Sequence, residues 1–310
     1  SYSGGIIITE WFSSENNTES TNRELKITVR FMSNEIRADA IKVLVFEKSC
    51  VLNNCKTKKI KSKLEGELKL AILKKAALFE NEDFIVIDKP PGLTVHPRAG
   101  QRDQTLINGL IFKYPKLRSV ERYGLVHRLD KDTSGILVIA KNLKTAKTFH
   151  DYFKNKKIIK LYLAIISPPP SKKEKYITSN IEKSSFSNVR KMTTSSIKGK
   201  FAETYMKILL KNSKYALALL YPITGRTHQI RVHMNYIGCS IIGDKKYKLN
   251  ENFRDNENFL KLHSYVIKFP NEDFIKAPLP VHFINFMKEN KLDIDLEKIE
   301  KDFEKEFKYE

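Results

Sequence analysis

The sequence predicts an α+β fold: a mixed, mostly antiparallel central sheet with flanking helices and a cleft, plus a small basic N-terminal α/β domain. Three observations point there. Apolar runs of strand length recur at residues 84–87, 136–140 and 158–166, with a further pair at 201–206 and 215–220. Stretches with helical spacing separate some of these runs but not all, as a layered α+β domain requires. A lysine-rich stretch at 56–63 precedes them and sets the start of the chain apart. The expected organisation is a flexible leader or processed end at 1–20, the basic domain at 21–70, a linker at 71–79, the main domain at 80–285 and a charged helical tail at 286–310.

In the N-terminal part, Leu25, Val29 and Met32 suggest one short helix, and Ile36, Ala40, Val43 and Leu44 a second, before a strand and turn from Val51 to Asn54. Residues 82–92 read as a buried strand ending in the turn Lys89-Pro90-Pro91-Gly92. Residues 105–113 form a short helix capped by Asp103 or Thr105. Asn142 caps an amphipathic helix whose core stripe is Leu143, Ala146, Phe149 and Phe153. The run at 158–166 alternates poorly and is almost wholly apolar, so it is a strand buried on both faces. Residues 167–200 are polar and proline- and serine-rich, giving edge structure and a mobile loop. Gly225 marks a turn, and Thr227 caps a helix that points Ile230, Met234 and Ile237 inward.

Lys and Arg number 56 against 36 Asp and Glu, a formal charge of +20, which favours a polyanionic partner, nucleic acid before an anionic membrane surface. No apolar run approaches the roughly 20 residues a membrane helix needs. Cys50, Cys55 and Cys239 make neither a disulfide framework nor a zinc motif. His228 and His233, five residues apart, lack the spacing and acidic partner of a helical metal site. A protein of the cytoplasm with no metal or other cofactor is expected.

The stretch from Val126 to Ala140 carries the chemistry. A polar loop, His127-Arg128-Leu129-Asp130-Lys131-Asp132-Thr133-Ser134, lies between two apolar runs, with Gly135 at the turn. Asp130, flanked by Arg128 and Lys131, suits a nucleophile or base; equally, Asp130 and Asp132 could simply be turn-formers.

His127-Arg128-Leu129-Asp130 followed by Thr133-Ser134-Gly135 resembles the signature of the RluA-type pseudouridine synthases. The resemblance extends through Lys89-Pro90, Lys160-Leu161-Tyr162, Gly225-Arg226-Thr227-His228-Gln229-Ile230-Arg231 and Leu262-His263-Ser264. It implies that Asp130 is the essential catalytic residue, that Tyr162 lies against the target base and takes part in its proton transfer, and that Arg226 pairs with Asp130. It also implies that Arg128 enters the space left by the flipped base. Arg231 and His233 are RNA-facing or structural, and Arg231 is counted with the RNA-binding residues. Residues 51–70 resemble the end of the small RNA-binding module first seen in ribosomal protein S-four, which would put Lys56, Lys58 and Lys59 on RNA. The activity implied is conversion of uridine to pseudouridine, without a cofactor, in large-subunit ribosomal RNA. Residues 95–100 and 105–110 look more like the RluD branch than the RluC branch, and a monomer is expected. Two other readings are a non-catalytic RNA-binding or ribosome-assembly protein on the same fold, and a serine hydrolase using Ser134 with His127 or His228. The second lacks a Gly-x-Ser-x-Gly elbow.

Overall fold

The structure, a computed structural model, describes residues 7–9, 28–30, 76–97, 105–184, 191–249, 257–270, 272–297 and 301. The chain divides into two units, Ser1–Glu67 and Leu68–Glu310. In the first, β1 (Ile7–Thr9) pairs antiparallel with β2 (Thr28–Arg30). Two expectations are thereby corrected: residues 7–9 are strand within the expected leader, and residues 28–30 are strand within the expected first helix. Ile7, Ile8, Thr9, Thr28 and Val29 are β-branched, and their restricted χ1 favours extended backbone over helix. The remainder of the expected S-four-type module, Lys56, Lys58 and Lys59 included, lies outside the described residues.

The second unit is built on one sheet of eleven described strands. In chain order they are β3 (Ala77–Glu80), β4 (Phe84–Lys89), β5 (Ser134–Ala140), β6 (Ile159–Ser167), β7 (Glu174–Lys183), β8 (Met192–Ser195), β9 (Lys200–Lys211), β10 (Ala216–Pro222), β11 (Ser240–Ile241), β12 (Leu262–Lys268) and β13 (Ile275–Lys276). Across the sheet the order is β3-β4-β5-β12-β6-β10-β9-β7-β8, with β11 on β6 and β13 on β12. Only the β5–β12 pair is parallel, so the sheet is mixed and mostly antiparallel. β3 occupies part of the expected linker, and β7 and β8 occupy much of the polar 167–200 stretch that was expected to be edge structure and loop. Polar residues suit β7 because Ile177 and Ile181 turn inward while Tyr176 and Thr178 stay exposed.

β6 lies between β12 and β10, and its two faces feed two cores. Tyr162, Ala164 and Ile166 join the main core, whereas Leu161, Leu163 and Ile165 join a second core. The main core is covered by α1 (Leu106–Lys113) and α2 (Leu143–Lys154). Thr105 and Asn142 stand at their N-caps, and the Asn142 side chain accepts from Thr145 N at 2.8 Å. α3 (Gln229–Tyr236) turns Ile230 and Met234 into the same core. The second core is covered by α4 (Val281–Glu289), which buries Phe283, Phe286 and Met287. The expected tail therefore begins inside a packed helix.

Gly135 opens β5 with φ +99°, and a Cβ there would lie 2.2 Å from the Ser264 carbonyl oxygen of β12. Gly135→Ala combines that clash with left-handed strain, so it should cost about 3 kcal/mol in urea unfolding. An unchanged midpoint would show that the close parallel pairing is not needed.

Burial holds the imidazole of His233 at about 4 and that of His263 at about 3. Both are fully buried, and an unfolded imidazole titrates near 6.5. Below that value the unfolded chain takes up protons that the folded chain refuses. Stability is therefore full above pH 7 and falls as the pH drops from about 6.5 towards 4. Each imidazole should account for about 2 kcal/mol lost by pH 5, a difference that urea unfolding at pH 7.5 and pH 5 will measure. Equal stability at the two pH values would contradict this.

Candidate active site

The loop from His127 to Thr133 joins Val126 to β5, and two devices hold it. One is Lys89, the last residue of β4, which is fully buried. Its ammonium donates to the carbonyls of Pro90 (2.8 Å), Leu93 (3.2 Å) and, across the loop, Lys131 (2.9 Å). Burial pushes the Lys89 pKa down to about 7, opposed by Asp132, Asp130 and Asp88. The backbone N–H of Gly92 donates to the same Lys131 carbonyl at 2.9 Å. The proline turn thus clamps the loop one residue beyond Asp130. The other device is His127, whose Nε2 accepts from the Val138 N–H of β5 at 2.8 Å and whose ring lies 5.1 Å from that of Phe153. Burial, helped by Lys160, pushes His127 down to about 3, so it is the neutral acceptor the strand needs.

Asp130 is held from α3. Arg231 Nη1 donates to Asp130 Oδ2 at 3.1 Å, while its Nε and Nη2 grip Asp244 at 2.7 and 2.8 Å. Asp244 is fixed in turn by the backbone N–H groups of Lys246 (2.8 Å) and Tyr247 (3.0 Å). Burial works against both charges of the inner pair. Their mutual attraction outweighs it, so Arg231 is raised above its ordinary value and Asp244 lowered. The Arg231 guanidinium also lies 5.0 Å from the Tyr247 ring centre. On the other side of Asp130, His228 Nε2 is 3.8 Å from Oδ1. His228 Nδ1 meets the Tyr247 hydroxyl at 2.6 Å, and that hydroxyl accepts from Met192 N at 3.0 Å.

This corrects the expected roles of two arginines. Arg226 does not pair with Asp130; it is exposed, and its Nε donates to the Phe201 carbonyl at 2.8 Å. Arg231, expected to face RNA or to be structural, is 6% exposed and makes the pair. The turn explains the exchange. Gln229 accepts from Thr224 Oγ1 (2.6 Å) and Arg226 N (3.0 Å), and donates to the Glu203 carbonyl (2.8 Å) and Thr204 Oγ1 (2.9 Å). This binds the turn to β9 and leaves Arg226 outside. His228, not Thr227, is the N-cap, at φ 56° in the left-handed region. His233 is structural: it meets Thr204 Oγ1 at 2.9 Å and Ser179 Oγ at 3.1 Å. Its neighbour Arg231 shares the buried run with Ile230 and Met234, and a cation in such a run signals a buried carboxylate.

Asp130, Arg231 and Tyr162 border a cavity of about 560 Å³. Asp130 is the sole carboxylate among its described lining residues, against Arg122, Arg128, Lys154, Lys156, Lys160, Arg226 and Arg231. Arg128 is exposed there. Burial raises Tyr162 to about 12, with Ser264 opposing and Asp130 assisting, so it is a neutral phenol at pH 7. Ser134 is 1% exposed and meets His263 Nδ1 at 2.9 Å; His263 lies 3.4 Å from the Ala277 carbonyl through Nε2. Ser134 therefore cannot reach a substrate, and the pairs expected of a hydrolase with His127 or His228 do not form. Among the described residues no group of three or more His, Cys, Asp or Glu is placed to hold a metal, and no helix is long and apolar enough to cross a membrane.

A cleft lined by seven cations and, among the described residues, one carboxylate, on a mostly antiparallel sheet, has the charge to receive a polyanion. The family described as RNA pseudouridylate synthase matches residues 83–236, and one described only as a domain of unknown function matches residues 1–81. The chain is 38% identical over 221 residues to ribosomal large subunit pseudouridine synthase C of Buchnera aphidicola, covering 68% of this chain and 69% of that one. To ribosomal large subunit pseudouridine synthase D of Borreliella burgdorferi it is 34% identical over 238 residues, covering 72% of each. The fold matches the solved human RNA Pseudouridylate Synthase Domain Containing 4 with a TM-score of 0.61 at 24% identity, over 74% of this chain and 98% of that one. The chain belongs to the RluA family of RNA pseudouridine synthases, isomerases that act on RNA.

The two arginines can be told apart by kinetics. Arg231→Lys keeps a charge but loses the fork that spans Asp130 and Asp244, so the rate at saturating RNA should fall about 100-fold. Arg226→Ala should leave that rate within about threefold and raise the half-saturating RNA concentration instead, as loss of a surface phosphate contact does. The reverse pattern would restore Arg226 as the partner of Asp130.

Proposed function

We propose that the chain converts uridine to pseudouridine in large-subunit ribosomal RNA, with Asp130 as the reacting carboxylate. One observation carries the reading: the single carboxylate of a cationic cavity is held by a buried arginine that is itself anchored on Asp244. Relatives named for the large ribosomal subunit support the substrate, and they include both the C and the D synthases. The cations around the cavity suit the RNA backbone.

The uridine leaves its stack to bring its glycosidic bond to Asp130. Arg128, exposed at the rim, takes the vacated space. Asp130 then attacks C1′ of the ribose or removes the proton at C2′, and Arg231 keeps the carboxylate aimed until it does. The detached uracil turns and bonds to C1′ through its C5 carbon, expelling the Asp130 carboxylate on the first route or with C2′ taking its proton back from Asp130 on the second; the C5 proton then passes to solvent as N1 takes one up. Tyr162, a neutral phenol on the cavity wall, packs against the ring and assists that loss by hydrogen bonding rather than by ionising. No cofactor enters the scheme. The basic N-terminal unit, with Lys56, Lys58 and Lys59, adds a second grip on RNA, and a cytoplasmic monomer fits the substrate.

Asp130→Asn keeps size and polarity but removes the charge. Pseudouridine mapping of large-subunit ribosomal RNA from cells carrying Asp130→Asn should show the loss of specific sites, while the purified variant binds RNA within about threefold of wild type. A complete map in those cells would refute the ribosomal target. Tritium release by the variant from RNA labelled at uridine C5 would refute the role of Asp130.

A further inference from the structure

Lys160 is a cation without a stated task. It lies two residues before Tyr162 on β6, so both side chains leave the same face of the strand, with Cα atoms about 6.6 Å apart. Both line the cavity that holds Asp130. Of the other cations lining the cavity, Arg122, Arg128 and Lys154 are exposed to solvent and the rest have partners. Arg231 has two carboxylates, Lys156 lies 4.0 Å from Glu203, and Arg226 donates to a carbonyl. Among the described residues Lys160 makes neither a hydrogen bond nor an ion pair; its Nζ stands 5.5 Å from the Phe153 ring centre. It is partly buried, and burial pulls its pKa down to about 8, so it keeps its proton at neutral pH at a cost that no neighbouring carboxylate offsets. A part-buried, unpaired cation facing a substrate cavity calls for an anion that arrives with the substrate.

The reaction creates one. Before it starts, the negative charge is on Asp130. If Asp130 attacks C1′, an O–C1′ bond forms, the N1–C1′ bond breaks and its electron pair leaves with the base as uracil anion. If Asp130 instead removes the C2′ proton, the carboxyl is neutralised, the C2′ electrons form a C1′–C2′ double bond and the N1–C1′ pair again leaves with the base. Either way one unit of charge moves from Asp130 to the uracil ring, away from Arg231. We propose that Lys160 is the catalytic cation that meets this charge, donating from Nζ to the uracil anion while Tyr162 supports the ring. The proposal rests on Asp130 being the reacting group. A preformed donor where charge develops is a large catalytic effect.

The test uses the full-length protein and bulk RNA labelled with tritium at uridine C5, prepared from cells deleted for the gene, so that the natural substrate is present whichever RNA it is. Tritium release is followed in single turnover over a range of enzyme concentrations. Asp130→Asn is run first: persistent release would sink the reading of Asp130, and Lys160 with it. With that dependence in place, Lys160→Met should lower the saturating rate about 100-fold and leave half-saturation within about twofold. Lys160→Arg should recover at least about tenfold of that loss, since the charge returns. The melting temperature of Lys160→Met should stay level or rise, because an unpaired cation is exchanged for an apolar chain of similar length; a fall with no rescue by Lys160→Arg would mean a structural lysine and overturn the proposal. An unchanged saturating rate would also overturn it. So would a raised half-saturation with a normal saturating rate, the signature of a phosphate contact.

Discussion

Arg231 is the constraint on which the site depends. One guanidinium spans two carboxylates, gripping Asp244 through Nε and Nη2 and Asp130 through Nη1. With one positive and two negative charges the group is one short of neutral, and the unspent charge sits on the carboxylate that faces the cavity. A single charge-to-charge pair buried with Asp130 would have neutralised it. The second carboxylate helps offset the desolvation of the arginine and leaves Asp130 facing the cavity. Three segments must meet for this: the loop after Val126, helix α3 and the turn after β11.

Each of those segments is fixed by structural contacts away from the cavity's carboxylate. Lys89 and Gly92 share the Lys131 carbonyl and hold the loop against the proline turn. Gln229 satisfies four groups and closes the turn before α3. Gly243, at φ +78°, lets the chain pass so close to Phe259 that a Cβ would lie 2.1 Å from its carbonyl oxygen, which delivers Asp244 to Arg231. Left-handed backbone at His228 lines the same cavity, a strain the surrounding hydrogen bonds support. The site is held by many small constraints spread over several segments.

The electrostatics then divide by depth. The imidazoles at 127, 233 and 263 are held neutral by burial and act as fixed hydrogen-bonding groups, whereas most of the cations near the site lie along the cavity and its rim. The rim cations suit a polyanion, and among the described lining residues the cavity presents one carboxylate. Such a division suits a reaction that needs a polyanion held at the surface and an uncrowded anion within.

How much of this was legible beforehand differs from element to element. The strands at β4, β5, β6, β9 and β10, and the helices capped at Thr105 and Asn142, could be read because their apolar runs and caps are local. Asp130 and Tyr162 could be singled out because their motifs are contiguous. β1 and β2 were misread, and β7 and β8 were legible only as edge structure and loop without their strand bounds, since polar or short strands are stabilised by their neighbours and not by their own pattern. The choice between Arg226 and Arg231 could not be made from the chain alone: both belong to one motif, and only the folded turn decides which points inward. Sequence by itself determined the class of fold, the loop that carries Asp130 and the cationic character, all of which are local or compositional. Tertiary structure decided which arginine holds Asp130, that Asp244 anchors it and that Lys160 is left unpaired, because a charge pair is set by distance in space and the partners lie 101 and 13 residues apart along the chain.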